Sequence, residues 1–343
     1  MADSQFATAS WSRRSADCPA IAWLGVAIAI MGCVPPPEPP RDLAQTLLTS
    51  SAAELAEPTR SRVAKLMEES AGSPGLWRWP GTDVKASPQE LYVGAKLFGK
   101  HCAICHGTWG AGDGPLAPDL AVAPRDFRMG VFKFQSTFYG SKPLISDLER
   151  TIRHGLDGTT MPPFLTLGSQ PIARLARHVL WLARRGEVER ELVLAAQSGE
   201  TLDGRLLAEI EETLQSAWEE APEQVVALAS PHPEPTADSI ARGRVAFTSR
   251  GCAKCHGPDG RGQTEENLRG GLWDYWGEPV RAADLTSGRL KGGHRPEDVY
   301  QRIMGGINGT PMPSFRATLN SEPGTVWDLV DFVLQLPTIS QRP

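Results

Sequence analysis

The clearest pattern in the chain is a spacing of apolar residues that is typical of amphipathic helices. Residues 91–98 carry one apolar stripe, and the segment Ser87-Pro-Gln-Glu90 before it combines a capping box with proline at the first helical position. Further along the chain, Thr236 marks the start of an equivalent helix. These signals predict one helix that leads to Cys102 and a second helix that leads to Cys252.

Further helices are predicted at corresponding places in both halves. Gly186 and Pro337 each follow an apolar stretch of helical period, and both residue types commonly end helices. No stretch alternates with the period of a strand, so the expected fold class is all-α. The predicted segments are closing helices over 171–185 and 325–336, short middle helices over about 146–154 and 296–304, and loops rich in glycine and proline over 107–145 and 257–294.

The chain contains the same set of motifs twice. A C-x-x-C-H sequence occupies residues 102–106 and again 252–256, and a Met-Pro pair follows the first cysteine by 59 residues in one copy and 60 in the other. Chance does not account for this match, so each half is predicted to be one copy of the same domain. The other paired positions are Gly94 and Phe98 with Gly243 and Phe247, Arg125-Asp126-Phe127 with Ala283-Asp284-Leu285, and 158–164 with 309–315.

Length and composition agree with two domains and exclude several classes of protein. The chain has 343 residues, of which 41% are apolar and 22% charged. This balance does not fit a disordered chain or a membrane protein with many spans. The net charge of −5 gives no basic excess for binding a phosphate backbone, so nucleic acid is not an expected partner.

An acidic segment separates the two copies. Residues 187–225 contain 11 Asp or Glu and 2 Arg, and apolar residues recur at helical spacing over 204–221. We therefore expect a helical connector over 187–234. Its acidic side chains have two interpretations, which are a solvated connector and a docking face for a basic partner.

The amino-terminal region has the features of an export signal. Residues 18–34 are apolar, follow two arginines and precede a proline-rich stretch, and this run is short for a membrane span. The sequence that ends at Cys33 resembles a bacterial lipobox, in which the cysteine is acylated; an uncleaved anchor helix is the alternative. The chain is therefore predicted to divide into a signal over 1–33, a tether and extension over 34–86, two domains over 87–186 and 235–340, and the connector between the domains. The Trp77/Trp79 segment of the extension is expected to pack on the first domain.

The repeated C-x-x-C-H motif points to covalent haem attachment. Two thiols at this spacing add to the vinyl groups of one haem, and the next imidazole binds the iron. A zinc site would need four Cys or His ligands in one place, and a thioredoxin-like pair would need a βαβ context. Neither explains the adjacent histidine and the distant methionine in both copies. Two haem c groups are predicted, attached at Cys102 and Cys105 and at Cys252 and Cys255, with His106 and His256 as axial ligands.

The sixth iron ligand is predicted from the same duplication. Met161 and Met312 each precede a proline at nearly the same distance from the haem cysteines. A methionine is more often a packing residue, but the correspondence between the copies favours axial ligation. Met129 and Met304 have no counterpart methionine in the other copy and are interpreted as packing residues.

Each half of the chain resembles a class I c-type cytochrome domain of the Met-Pro type. The resemblance covers about 87–186 and 235–337. It implies an all-α fold around the haem, with the first and last helices crossing at the paired glycine and phenylalanine positions. It also implies that the carbonyl of Pro115 faces the ring nitrogen of His106. The second copy has no proline at this point, so the orientation of His256 is left open.

The other histidines are weaker candidates for iron ligands. His178 aligns with Phe332, where the resemblance implies an aromatic residue at the helix crossing, so we expect it to pack there. His154 aligns with Gly305, and His294 lies in a polar loop. Neither is expected to bind iron.

Together these features predict a dihaem electron-transfer protein. With histidine on one side and methionine on the other, each iron changes valence but has no open position for substrate. The expected role is single-electron transfer between a membrane oxidoreductase and an acceptor such as a terminal oxidase or a soluble cytochrome, by an exported periplasmic protein with a lipid anchor. The alternative is a dihaem peroxidase-like enzyme with one haem that opens a coordination site. A haem-based sensor would need an output domain, and the sequence shows none.

Overall fold

Helices make up most of the computed structural model, which describes residues 50–73 and 76–340. All of these residues belong to one compact unit. The predicted export segment 1–33, with Cys33, lies outside the described residues. Within the described ranges, no helix has both the length and the hydropathy to cross a membrane. In chain order the helices are α1 (Ser50–Ala53), α2 (Thr59–Ala71), α3 (Pro88–His101), α4 (Ala103–His106), α5 (Ile145–His154), α6 (Ser169–Gln197), α7 (Gly204–Glu219), α8 (Ala237–Ser249), α9 (Cys252–His256), α10 (Glu265–Leu268), α11 (Pro296–Gly305), α12 (Arg316–Leu319) and α13 (Pro323–Ser340).

The helices that lead to the two C-x-x-C-H motifs begin where the sequence predicts. The backbone N–H of Glu90 donates a hydrogen bond to the hydroxyl of Ser87 at 3.3 Å, and the backbone N–H of Ser87 donates to the Glu90 carboxylate at 2.9 Å. The hydroxyl of Thr236 accepts a hydrogen bond from the backbone N–H of Ser239 at 3.0 Å. These caps satisfy N–H groups that the first turn leaves unpaired, and both predicted starts are confirmed.

A close helix crossing lies at the centre of each domain, where α3 packs on α6 and α8 packs on α13. A Cβ atom at Gly94 would lie 2.7 Å from the carbonyl oxygen of Arg174, and one at Gly243 would collide with the carbonyl oxygen of Asp328. Only glycine lets two helix backbones approach this closely. The crossings implied by the family resemblance are therefore confirmed.

The middle helices α5 and α11 match the predicted ranges to within one residue at either end. Each has an aspartate in its first turn that accepts a hydrogen bond from the residue before the helix. The Asp147 carboxylate accepts from the backbone N–H of Leu144 at 3.0 Å, and the Asp298 carboxylate accepts from that of Arg295 at 3.2 Å. The duplication therefore extends to the way in which these helices start.

The closing helix of the first domain is longer than predicted, because α6 passes through Gly186 and ends at Gln197. The backbone of Arg128 lies so close to Gly186 that no Cβ atom fits between them. Glycine is needed there for packing, and the residues that follow, Val188 and Leu192, are buried and extend the apolar face of the helix. The prediction that Gly186 ends this helix is wrong.

The closing helix of the second domain also continues past its predicted end. Pro337 lies inside α13, which runs to Ser340. A proline removes one helical hydrogen bond because it has no N–H. Leu336 beside it is buried, so packing of the helix end offsets that loss. The prediction that Pro337 ends the helix is wrong.

The acidic connector is helical over α7, as predicted, but part of its charge is buried. Glu187 and Glu189 are both fully buried within α6. The Glu187 carboxylate accepts a hydrogen bond from the indole N–H of Trp218 at 2.8 Å and forms an ion pair with Lys142. Because these groups are paired inside the protein, the interpretation as a solvated connector is wrong for its first turns. The face of α7 that lies opposite Trp218 is exposed.

The segment that precedes the first domain packs on it, as predicted. Strands β1 (Gly72–Ser73) and β2 (Leu76–Trp77) form an antiparallel pair after α2. The ring of Trp77 lies 4.6 Å from that of Trp181 on α6, measured between ring centroids, and the Trp181 indole N–H donates to the carbonyl of Arg78 at 2.7 Å. Trp79 is buried. This extension therefore forms part of the apolar core of the first domain.

The close contact at Gly186 gives a stability prediction. Gly186→Ala places a methyl group against the Arg128 backbone and is expected to lower the free energy of unfolding by about 1–3 kcal/mol, the usual cost of overpacking. The matched control is Gly99→Ala, at an exposed position of α3 where a Cβ atom meets nothing within 4 Å. That variant is expected to gain up to about 1 kcal/mol from helix propensity. Denaturant unfolding followed by circular dichroism measures both, and equal effects would contradict the packing role of Gly186.

Candidate haem sites

A short helix follows the long one in each copy; α9 contains Cys252, Cys255 and His256, whereas Cys102 directly precedes α4, which contains Cys105 and His106. The backbone N–H of Cys102 donates to the carbonyl of Phe98 at 2.8 Å, and the N–H of His106 donates to the carbonyl of Cys102 at 2.9 Å. Both motifs end in the same way. The N–H of Gly107 donates to the carbonyl of Ala103 at 2.8 Å, and the N–H of Gly257 donates to the carbonyl of Ala253 at 2.9 Å. Each motif therefore holds its cysteines and its histidine on one or two turns of helix.

The four cysteines of the two motifs are partly buried. Burial raises the pKa of Cys102 to about 12 and that of Cys252 to about 11, and it also raises the pKa of Cys255. A thioredoxin-like redox pair needs a thiolate, and therefore a lowered pKa. Among residues 50–73 and 76–340, no three His, Cys, Asp or Glu side chains group so that they could hold a metal ion. These apolar surroundings fit thioether bonds to haem better than either alternative.

The two histidine rings have equivalent orientations. Nδ1 of His106 lies 3.1 Å from the carbonyl oxygen of Arg125, and Nδ1 of His256 lies 3.0 Å from the carbonyl oxygen of Ala283. Because a carbonyl only accepts, Nδ1 is the nitrogen that carries the proton, and Nε2 keeps a lone pair that could bind a metal. Burial lowers the pKa of both rings, which favours the neutral form that metal ligation requires.

The partner of the His106 ring is the carbonyl of Arg125 and not that of Pro115. The residues around Pro115 turn back onto the motif helix, where the N–H of Gly114 donates to the carbonyl of Cys105 at 3.1 Å. The segment around Pro115 therefore packs against the short helix. Arg125, which comes later in the same loop, is the residue whose carbonyl reaches the His106 ring. The prediction for Pro115 is wrong, and the question left open for His256 is answered by Ala283.

The same backbone contact brings both carbonyls to the histidine rings. The N–H of Phe127 donates to the carbonyl of Gly110 at 2.8 Å, and the N–H of Leu285 donates to the carbonyl of Gly260 at 2.8 Å. Both glycines have positive φ, 69° and 77°, which other residues rarely adopt. These bonds fold the loop after each motif back, so that the carbonyl of Arg125 faces the His106 ring and the carbonyl of Ala283 faces the His256 ring.

Met161 and Met312 lie on loops with matching hydrogen bonds. The carbonyl of Met161 accepts from the N–H of Leu156 at 3.1 Å, and its own N–H donates to the hydroxyl of Thr159 at 3.1 Å. In the second copy the Met312 carbonyl accepts a corresponding bond at 3.1 Å, and its N–H donates to the hydroxyl of Thr310 at 3.2 Å. The two methionines therefore have the same local backbone arrangement.

The apolar cores contact some of the predicted haem residues. In the first domain, Cys102 and Met161 both pack against the same cluster of buried apolar side chains. In the second domain, Cys252 packs against the corresponding cluster. Each predicted site therefore borders the core of its own domain.

The three weaker histidine candidates, His178, His154 and His294, have different surroundings. His178 is buried at the helix crossing, where its ring lies 5.2 Å from that of Phe98, and the matching rings of Phe247 and Phe332 are 5.3 Å apart in the second domain. His154 is exposed at the end of α5. Nε2 of His294 lies 2.6 Å from the carboxylate of Asp157. The alignment of His178 with Phe332 therefore holds in three dimensions.

Two family models match the chain, one in each half. The model described as cytochrome c matches residues 240–337, and the model described as cytochrome C oxidase, cbb3-type, subunit III, matches residues 89–179. The chain carries two tandem cytochrome c domains. Such domains hold haem c through thioether bonds, so this dihaem cytochrome binds two covalently attached haem c groups.

A solved structure is also similar to the dihaem cytochrome. It is a chain of the Kuenenia stuttgartiensis reducing HAO-like protein complex Kustc0457/Kustc0458, with 29% identity and a TM-score of 0.56. The match covers 76% of this chain and 99% of that chain, which is more than one domain alone provides. A comparison with curated proteins found no match.

Sequence reasoning missed two backbone carbonyls and two threonine hydroxyls of the dihaem cytochrome. Arg125 and Ala283 act at the histidines through their carbonyl oxygens, so their side chains give no signal. The alignment of the two copies pairs these positions, and that pairing was the one available clue. Thr159 and Thr310, whose hydroxyls hold the methionine loops, were also visible only as paired residues.

The buried ring of His178 predicts a pH-dependent stability difference. Its Nδ1 has no hydrogen-bond partner, and burial lowers its pKa from 6.5 to about 3. Below pH 6.5 only the unfolded state takes up the proton, so stability falls with pH until the ring also titrates in the folded state near pH 3. His178→Phe places the residue of the second domain at this position and removes the effect.

We therefore expect His178→Phe to be more stable than the unmodified protein, with a margin that grows by about 1.4 kcal/mol per pH unit below pH 6. Denaturant unfolding at a series of pH values measures the margin. His154→Gln, at an exposed position, serves as the control and is expected to leave the pH dependence unchanged. A margin that stays constant between pH 7 and pH 4 would contradict this account of His178.

Proposed function

We propose that the dihaem cytochrome passes single electrons between a membrane oxidoreductase and an acceptor protein. In this proposal Cys102 and Cys105 bind one haem and Cys252 and Cys255 bind the other. The observation that carries it is the matched pair of histidine rings, each held by a backbone carbonyl so that Nε2 is directed away from the protein hydrogen bond. A ring fixed in this way is suited to stable axial ligation.

Methionine ligation completes the proposal. Met161 and Met312 would supply a thioether to the iron of each haem, opposite His106 and His256. A bound haem supplies a one-electron redox couple, and a thioether ligand raises its potential relative to a second imidazole. The threonine contact of each loop holds the backbone of the methionine in place. With a histidine and a methionine on each iron, the haem would have no open position for a substrate.

The comparisons support a role beside larger redox enzymes. The family model of the first domain is named after a subunit of an oxidase, and the similar solved chain belongs to a reducing complex. We infer that the dihaem cytochrome works as an electron-transfer subunit or as a close partner of such an enzyme. Because that complex is described as HAO-like, an enzymatic role such as the dihaem peroxidase type is the second candidate, and it requires a haem with an open position.

The same proposal includes export to the periplasm and a lipid anchor. Attachment of haem c takes place on exported chains in bacteria that carry the motif, and residues 18–34 have the composition of an export signal. Cys33 would become the amino terminus and carry the acyl chains. A two-chain anchor gives stable attachment, whereas one chain gives only marginal binding.

Intact-mass spectrometry of the mature protein tests the attachment sites. Protein made in a host that matures c-type cytochromes is expected to carry two haems that survive denaturation. The double variant Cys102→Ala with Cys105→Ala is expected to lose one haem, and the matching variant at Cys252 and Cys255 is expected to lose the other. A single haem in the unmodified protein would contradict the two-site assignment.

The same spectrum tests the lipid anchor, because it shows whether the amino terminus is an acylated Cys33. An unmodified terminus at another residue would contradict the anchor.

Carbon monoxide binding separates the carrier from the enzyme. The unmodified reduced protein is expected to bind almost no carbon monoxide, because both axial positions are occupied. Met161→Ala and Met312→Ala each open one position and are expected to bind one equivalent. Met161→His and Met312→His are the matched controls, because they keep the iron closed and lower one of the two potentials. Carbon monoxide binding and peroxide turnover by the unmodified protein would favour the enzymatic candidate instead.

A further inference from the structure

The two domains contact each other beside the groups that hold the axial ligands. The hydroxyl of Tyr139 donates to the carbonyl of Thr310 at 3.1 Å, and the backbone N–H of Gly140 donates to the side-chain oxygen of Asn308 at 3.2 Å. Thr310 is the residue whose hydroxyl holds the backbone of Met312. The methionine loop of the second domain therefore lies directly on the first domain.

One aromatic side chain of the second domain, Trp276, lies on the histidine-supporting segment of the first domain. The guanidinium carbon of Arg125 lies 3.3 Å from the centroid of the indole, which is a cation–π distance. The indole N–H donates to the backbone carbonyl of Asp126 at 3.3 Å. Arg125 is the residue whose carbonyl holds His106. Trp276 is therefore in contact with the support of the first histidine.

The six-membered ring of the same indole meets the methionine loop of its own domain. A Cβ atom at Gly309 would lie 2.8 Å from the indole carbon Cζ3, so the ring packs directly against the Gly309 backbone. The carbonyl of Gly309 accepts a hydrogen bond from the N–H of Tyr275 at 2.9 Å, which fixes the two segments together. Gly309 precedes Thr310 and Met312 in the loop. The indole thus fills the space between the His106 side of one site and the Met312 side of the other.

The loop that carries Trp276 has no equivalent in the first domain. Arg125 follows His106 by 19 residues, whereas Ala283 follows His256 by 27 residues, although the two carbonyls have the same role. The additional residues are anchored by Asp274, whose carboxylate accepts from the backbone N–H of Trp276 at 3.0 Å and pairs with Lys133 of the first domain at 2.7 Å. The extra length of this loop is therefore what brings an aromatic ring to the domain boundary.

We propose that Trp276 is the interdomain bridge across which an electron passes between the two haem sites. This inference rests on the proposed function. In the transfer, the iron of one domain goes from ferrous to ferric and the iron of the other goes from ferric to ferrous, so one electron is lost and one gained. The indole is neither oxidised nor reduced, and no proton moves. Trp276 provides a continuous path of packed atoms and hydrogen bonds in place of a gap.

The physical reason is that electron tunnelling weakens steeply across empty space and less steeply through atoms in contact. Removing the ring leaves a void between Arg125 and Gly309, and the groups that line such a void lose their contacts outright. Tyr139 also crosses the domain boundary, but its hydrogen bond reaches only the methionine loop. Of the side chains described here, we therefore assign the path to Trp276 and use Tyr139 as a comparison.

The test follows electron distribution within the isolated protein after rapid photoreduction of its oxidised form. The phase whose rate does not depend on protein concentration reports transfer between the domains. Trp276→Leu is expected to slow this phase, and Trp276→Phe, which keeps a ring over Arg125, is expected to restore most of the rate. Two matched controls are expected to keep the rate of the unmodified protein: Trp273→Leu, at an exposed position on the same loop, and Tyr139→Phe, which removes one interdomain hydrogen bond.

Potentials from a spectroelectrochemical titration and thermal unfolding by circular dichroism are measured for every variant. Slowing in Trp276→Leu at unchanged potentials supports the bridge. The proposal is overturned if Trp276→Leu relaxes as fast as the unmodified protein, or if Tyr139→Phe slows the phase equally, since loosening of the boundary would then be the cause. Failure of the proposed function looks different, because the unmodified protein would then bind carbon monoxide or show only one reducible haem.

Discussion

The contact of two helix backbones at a glycine is the constraint on which each domain depends. At Gly94 and Gly243 the first and last helices lie closer than any side chain would permit. This crossing fixes the end of the first helix, and the C-x-x-C-H motif follows from that end within the same hydrogen-bonded run. The loop that returns to the histidine then has a fixed starting point. A change at the crossing would therefore move the cysteines, the imidazole and the loop together.

The two domains keep this arrangement while their surroundings differ. In the first domain α6 continues well beyond the crossing, and its buried carboxylates at Glu187 and Glu189 are paired with cations and with Trp218. Removing one partner of such a pair leaves a buried charge and is costly, so these residues tie the connector firmly to the first domain. The second domain has a shorter closing helix and a longer loop after its motif. The duplicated parts hold the haem groups, and the parts that differ hold the domains to each other.

Sequence reasoning recovered the features that depend on local chemistry. Capping residues, apolar period and the spacing of the repeats predicted the starts of α3 and α8 and the extent of α5 and α11. The errors at Gly186 and Pro337 have one cause, which is that each residue was interpreted from its local preference. The prediction for Pro115 was carried over from the family resemblance and failed for a different reason. Gly186 is required by the Arg128 backbone from a distant loop, and the His106 ring is held by a carbonyl that any residue could supply. Contacts between the domains, such as that of Trp276, follow from packing and leave no pattern in the sequence.

We propose that the chain holds two closed haem sites, each with one histidine and one methionine. Proton nuclear magnetic resonance of the fully reduced protein tests this proposal most directly, because reduced low-spin haem is diamagnetic and its ring current shifts the methyl signal of a methionine ligand strongly upfield. We expect two separate three-proton methyl signals upfield of all ordinary protein resonances, with Met161→His and Met312→His each removing one. A spectrum of the unmodified reduced protein with only one such signal, or with none, would contradict it.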